Sequence, residues 1–212
     1  MYFKPNFKML VIGNSCSGKT YYVVKLLNDL LRWKQVLGNK KQQSICVICP
    51  NEASLKQPLW NKLESMVDKL LLKNNTPKPM KKYDYYIIDD VDALRGKSGE
   101  WIRDLFTIES HHTASTVIWL CHKYNTGSPE SRASVDYLVL KDLDDEQVDK
   151  LPIDDVVKKK MYDHIRKQVF YEDCQYKNYS HLVYVKCCMP ESDDRVYETD
   201  CCTLRKKITS LA

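Results

Sequence analysis

The segment Gly13-Asn14-Ser15-Cys16-Ser17-Gly18-Lys19-Thr20 meets the pattern GxxxxGK[ST] at every fixed position. It follows an apolar run and opens an amphipathic stretch, the context in which such a loop cradles phosphates. The glycines allow the backbone to turn its N–H groups toward the β- and γ-phosphates of ATP, and the start of the following helix adds partial positive charge. Lys19 contributes a point charge to the phosphates, and Thr20 a hydroxyl ligand for Mg2+.

Two carboxylates close a second apolar run, Tyr83-Asp-Tyr-Tyr-Ile-Ile-Asp-Asp90. In this Walker B form Asp89 holds the magnesium shell, and Asp90 polarises the water that attacks the γ-phosphate. A third run, Thr116–Cys121, ends in His122. Because the carboxyl ends of strands face the ligand in a doubly wound sheet, His122 is a candidate γ-phosphate sensor. His111 and His112, just before that run, are placed to touch phosphate or a neighbouring subunit, or to form a solvated turn. Arginine is scarce: Arg32, Arg95, Arg103, Arg132, Arg166, Arg195 and Arg205. Arg132 follows the loop after His122 and is the leading candidate for an arginine finger, with Arg103 second.

The elements that must position these groups alternate between short β-rich runs and longer amphipathic stretches, the signature of an α/β fold with a mainly parallel sheet and helices on both faces. The pattern predicts strands at Lys8–Ile12, Ser44–Cys49, Tyr83–Ile88, Thr116–Cys121, Asp136–Leu140 and His181–Lys186. Helices are predicted at Gly18–Val36, Leu59–Leu72, Gly99–Ser110, Asp144–Leu151 and Asp154–Val169, and Lys73–Lys82, with two prolines, reads as a surface loop. Residues 1–189 form one domain in this reading, and 190–212 a polar tail ordered in part by packing on the body.

A chain of 212 residues supports one core, and 43% apolar against 29% charged residues excludes wholesale disorder. The net charge of +5 suits a phosphate-rich partner without naming one. Apolar runs are too short to span a bilayer, and the N-terminus lacks the features of a secretory signal, so a reducing compartment is expected. Nine cysteines is an odd number, and most are expected to be thiols. Cys46 and Cys49 lie three apart on a predicted strand and so point to opposite faces, which favours packing groups over a redox or metal pair. Cys174, Cys187, Cys188, Cys201 and Cys202, with His181, have the chemistry of zinc ligands but the spacing of no common zinc module.

Taken together, Phe7–Thr20, Ile87-Ile-Asp-Asp-Val91, the His112–Tyr124 stretch and Arg132-Ala-Ser134 resemble the viral DNA-packaging ATPases of large double-stranded DNA viruses. These form the poxvirus-type branch of the FtsK/HerA superfamily of P-loop translocases, with relatives in Polinton-like elements. The resemblance covers about residues 7 to 187. It implies a RecA-like core in which the histidine-bearing strand lies between the P-loop and Walker B strands. It further implies a homo-oligomeric ring that pumps double-stranded DNA into a preformed capsid, docked to capsid or portal-vertex proteins, in the virion or at its assembly site in cytoplasm or nucleus. Two positions depart from the family. His122 stands where glutamine is common, and His111 where an arginine often precedes His112, which moves the finger role toward Arg132.

Three functions share these motifs. A DNA-translocating motor would line a channel with cations such as Lys97, Lys40-Lys41 or Lys158-Lys159-Lys160, contacting phosphates without reading bases. A P-loop nucleotide or nucleoside kinase would need an arginine-rich lid, whereas the stretch from Cys121 to Asp136 holds Arg132 alone. A nucleotide-gated scaffold would differ from the motor in turnover.

Overall fold

The computed structural model describes residues 3–37, 43–49, 51–65, 67, 69–73, 81–89, 97–125, 128–141, 145–151, 153, 155, 158–159, 161–162, 181–185, 196–199 and 204–207. In chain order the elements are β1 (Lys8–Gly13), α1 (Lys19–Val36), β2 (Ser44–Ile48), α2 (Glu52–Leu55), α3 (Pro58–Glu64), β3 (Lys69–Lys73) and β4 (Tyr85–Asp89). Then come α4 (Lys97–Asp104), a π-helical turn (Leu105–Glu109), α5 (Ser110–Thr113), β5 (Thr116–Cys121), α6 (Pro129–Ala133), β6 (Tyr137–Lys141) and α7 (Asp145–Asp149). Strands β7 (His181–Val185), β8 (Val196–Thr199) and β9 (Leu204–Lys207) complete the described chain.

One sheet runs in the order β3-β2-β4-β5-β1-β6-β7-β8-β9. The first six of these strands pair in parallel, and β7, β8 and β9 add antiparallel pairs. The histidine-bearing strand β5 thus lies between the P-loop strand β1 and the acidic strand β4, as the resemblance implies. Every residue of β1, β4 and β5 is buried, as expected for parallel strands covered on both faces.

Alternation along the strands sends side chains into two cores. Met9, Val11, Val47, Cys49 and Ile87 pack on one face with Tyr22, Val23, Leu26 and Leu27 of α1 and with Trp60 of α3. Leu10, Ile12, Cys46, Ile48 and Ile88 pack on the other with Trp101, Phe106, Val148 and Met161. Cys46 and Cys49 therefore do lie on opposite faces, both fully buried.

The structure corrects the helix predicted over Leu59–Leu72. The helix is α3, ending at Glu64, and Lys69–Lys73 forms the edge strand β3, paired in register from Ser44↔Lys69 to Ile48↔Lys73. Leu70 packs on the first core and Leu71 on the second, a period of two that the consecutive leucines conceal. The helix predicted over Gly99–Ser110 begins at Lys97 and widens into the π-helical turn. Residues 74–80 of the predicted loop lie outside the described residues, whereas Lys73 belongs to β3. Of the helix predicted over Asp154–Val169, the described residues at 155, 158–159 and 161–162 are helical. Strands β8 and β9 fall within 190–212.

At the N-terminal end of β1, the buried Lys8 ammonium donates to the Phe106 carbonyl in the π turn at 2.9 Å and lies 2.9 Å from His111 Nε2. Burial lowers the Lys8 pKa, Asp136 opposes that shift, and Lys4 adds to it. Among the described residues no helix is long and apolar enough to cross a membrane.

Candidate nucleotide-binding site

β1 ends at Gly13, where the chain must pass close to its neighbour. A Cβ at Gly13 would lie 2.3 Å from the Lys141 carbonyl oxygen and 2.6 Å from Ser17 Oγ, so glycine is a steric requirement here. The loop then takes left-handed backbone at Cys16 (φ 60°) and at Gly18 (φ 84°), the residue that caps the start of α1. Cys16 is exposed and adopts this conformation without being glycine, which is uncommon. Ser17 N–H donates to the Asn14 carbonyl at 3.3 Å and closes the turn.

Lys19, in the first turn of α1, folds back over the loop. Its Nζ donates to the Gly13 carbonyl at 2.9 Å and the Asn14 carbonyl at 3.0 Å. His122 Nδ1 lies 3.5 Å from the same Nζ. This meeting follows from the register, because Cys121 pairs with Ile12 and the next residue of each strand emerges at the same end of the sheet. Asp89, 3% exposed, ends β4 opposite Leu120, which pairs in turn with Val11, so its carboxylate belongs to the same end. Asp90 lies outside the described residues.

The residues present fit a bound phosphate chain. Ser17 Oγ is buried with no hydrogen-bond partner among the described residues, and the Lys19 ammonium meets two carbonyls and an imidazole nitrogen. Thr20 is half-buried on the first turn of α1, beside Lys19. Among the described residues no cluster of three His, Cys, Asp or Glu groups is placed to hold a metal; Thr20 and Asp89 are the hydroxyl and carboxylate at this end of the sheet on which a cation would draw.

Arg132 sits on α6, whose N-terminus is capped by Ser128 accepting from Ser131 N–H. Its guanidinium lies 5.4 Å from the centroid of the Tyr124 ring and donates to the Asn125 carbonyl at 3.4 Å, within the loop that leaves β5 after His122. Burial raises the Tyr124 pKa, and Arg132 partly offsets this. Glu130 is held below the usual carboxyl range by the Ser128 hydroxyl, with Arg103 and Arg132 adding to the effect, so both arginines share one neighbourhood. Arg103 itself lies 3.5 Å from Asp104. His111, in contrast, sits against Lys8 at the opposite end of β1 from the phosphate loop, away from any phosphate held by its own chain.

Gln147, on α7, carries no motif in the sequence, yet its amide donates to Asn14 Oδ1 at 3.2 Å. It reaches the loop because α7 follows β6, and β6 pairs with β1 as far as Gly13↔Lys141. Among the basic clusters, Lys158 donates to the Asp149 carbonyl at 2.9 Å, which ties it to the end of α7. The side chains of Lys40, Lys41, Lys97 and Lys160, and residues Cys174, Cys187, Cys188, Cys201 and Cys202, lie outside the described residues.

Solved structures share this architecture. The genome packaging NTPase B204 from Sulfolobus turreted icosahedral virus 2, in complex with ATP-gammaS, superposes with a TM-score of 0.53 at 12% identity, over 95% of this chain and 100% of that one. The same protein in complex with sulfate gives 0.56 at 12% identity, over 96% and 100%. At such identity the likeness is one of fold. No curated protein sequence matches the chain. Sequence nevertheless carries the finer relation: a family model for the poxvirus A32 protein matches residues 2–202, nearly the whole length, and the chain belongs to that family.

Proposed function

We propose that this chain is an ATP-hydrolysing motor that drives double-stranded DNA into a viral capsid as one subunit of a homo-oligomeric ring. The observation that carries the reading is the approach of His122 to Lys19 across the strand order β4-β5-β1, which gathers phosphate loop, acidic strand end and sensor position at one end of the sheet. The family match and the likeness in fold to a genome packaging NTPase held in complex with ATP-gammaS support it.

In this reading the backbone of residues 13–20 binds the β- and γ-phosphates, and Lys19 exchanges its carbonyl partners for phosphate oxygens. Mg2+, when bound, neutralises phosphate charge and orients the oxygens. Thr20 and Asp89 would hold it. Asp90 accepts a proton from the attacking water, and His122, beside Lys19, reports the γ-phosphate. Arg132 acts on the site of an adjoining subunit. Capsid or portal-vertex proteins are the docking partners, at the virion or its assembly site. A packaging motor contacts DNA phosphates and not base edges, so its DNA affinity falls steeply with salt.

The test is ATPase activity with and without double-stranded DNA, measured beside oligomeric state. Stimulation by DNA of unrelated sequences, in an oligomer, is expected. Phosphate transfer to a nucleoside acceptor with no response to DNA would replace the motor with a kinase. Strong dependence on base sequence at physiological salt would contradict packaging.

A further inference from the structure

At the end of the sheet opposite the phosphate loop lies an apolar cavity of about 350 Å3, walled by Phe3, Phe7, Leu30, Trp33, Leu37 and Tyr85. At its mouth the last turn of α1 leaves Trp33 44% and Leu37 75% exposed, with Val36 beside them at 80%. Apolar groups so exposed beside an apolar cavity mark a surface that another molecule covers. The charged side chains in the wall are both cationic, Lys4 and Lys34. The Lys34 ammonium sits 4.9 Å from the Tyr85 ring centroid and donates to Gln43 Oε1 at 3.0 Å. Lys4 lies 2.6 Å from Asp136. Of the nearby carboxylates, Asp136 takes the Lys4 ammonium on Oδ1 and Lys8 N–H on Oδ2, and Asp84 accepts from Ser44 N–H at 2.9 Å. With Lys34 at its rim, the mouth suits an apolar knob that carries a carboxylate beside it.

Apart from Tyr21 beside the phosphate loop, the other exposed large apolar side chain among the described residues is Ile108, 55% exposed in the π-helical turn. Glu109 follows it directly, and Asp104, half-exposed, lies one turn before. Knob and cavity stand at the same end of the sheet: Tyr85 and Thr116, the first residues of β4 and β5, line the cavity, and Phe106 of the π turn holds Lys8 at the start of β1. They stand on opposite faces, since α1 packs in one core and Leu105 and Phe106 in the other. A knob on one face and its socket on the other cannot meet within one chain, but they can meet between two copies related head to tail. Such a heterologous contact closes into a ring when the rotation closes.

We infer that Ile108 of one subunit docks in the apolar cavity at the end of α1 of the next, with Asp104 facing Lys34. This rests on the ring reading above and names the surfaces that make the ring. The same apposition presents the face bearing Arg103 and Arg132 to the neighbour's α1 face, at whose other end the phosphate loop begins.

The test pairs cysteine cross-linking with oligomeric state in the presence of ATP-gammaS. The Ile108→Cys, Leu37→Cys double variant should yield a ladder of linked subunits under mild oxidant, and each single variant no more than the background from native thiols. Ile108→Asp should raise the dissociation constant of assembly about tenfold or more, with nucleotide binding by the monomer unchanged. Asp104→Lys should weaken assembly, and pairing it with Lys34→Glu should restore it. An oligomer that survives both Ile108→Asp and Leu37→Asp, with no ladder, would overturn the inference while leaving the ring reading intact. A protein that never assembles overturns both. A cavity that binds an acidic tryptophan-centred peptide without any effect on assembly belongs to a different partner and also overturns it.

Discussion

Lys19 Nζ and His122 Nδ1 lie 3.5 Å apart although 103 positions separate them in the chain. The contact exists because β5 pairs with β1 in the register Ile12↔Cys121, so the loops leaving both strands share one end of the sheet. The strand pairing thus holds the ammonium of the phosphate loop against the imidazole that follows β5.

Lys19→Ala removes the phosphate-loop ammonium. Turnover should fall by about 10²–10³-fold, the scale for losing one donor aimed at developing charge, and ATP binding should weaken as well. His122→Ala should lower kcat more than it raises KM, whereas His122→Gln, which keeps a polar group at that position, should keep most activity. Steady-state kinetics of the three variants separate these outcomes, and normal turnover by Lys19→Ala would sink the phosphate-loop assignment.

Asp90→Asn should leave ATP and magnesium bound but cut hydrolysis by about 10²–10⁴-fold, the usual contribution of a general base. Asp89→Asn should instead weaken magnesium binding. Titration of the metal against both variants decides the matter, and the reverse pattern would exchange the two roles.

Arg132→Ala should bind ATP and still assemble, yet hydrolyse about 10³–10⁵-fold more slowly, as expected for a finger acting on a neighbour's site. Arg132 is held on its own chain by Tyr124 and Asn125, which the substitution leaves in place. Mixing Arg132→Ala with Lys19→Ala subunits should recover part of the activity, because an intact phosphate loop is then served by an intact Arg132. Wild-type turnover by Arg132→Ala alone would move the role to Arg103.

Gly13→Ala must push its new methyl against the Lys141 carbonyl, 2.3 Å away, so β1 and β6 have to part. The cost should be ~1–3 kcal/mol, the range for overpacking, accompanied by loss of nucleotide affinity. Urea unfolding curves and binding titrations check the two parts independently.

Alkali should destabilise the fold through the tyrosines that enter β4. Burial, chiefly, pushes the Tyr86 phenol up to about 12 from 10.0, with the Tyr83 N–H opposing and the charges of Cys46 and Glu109 adding. Tyr85 is raised too, by burial and then by Asp84. Since the folded state holds these protons more tightly, the full stability is present below the unfolded pKa near 10.0 and is lost as pH rises toward 12. Unfolding curves on either side of that window measure the loss, and a flat profile would refute it.

Motif chemistry and burial pattern were legible in the chain itself. Gly13–Thr20 announces a phosphate loop because few other uses require those residue types at that spacing. The apolar runs of β1, β2 and β5 announce strands, and the three-residue offset of Cys46 and Cys49 announces opposite faces. These are local properties, fixed by backbone period and side-chain size. What lies next to what is not local. The strand order that brings His122 to Lys19 and sends His111 to Lys8 at the far end arises from pairing between segments distant in sequence. The leucines of Lys69–Lys73 show the limit most directly, since their run suits a helix or a buried strand equally well, and only the free edge of β2 and the two cores on either side made it a strand.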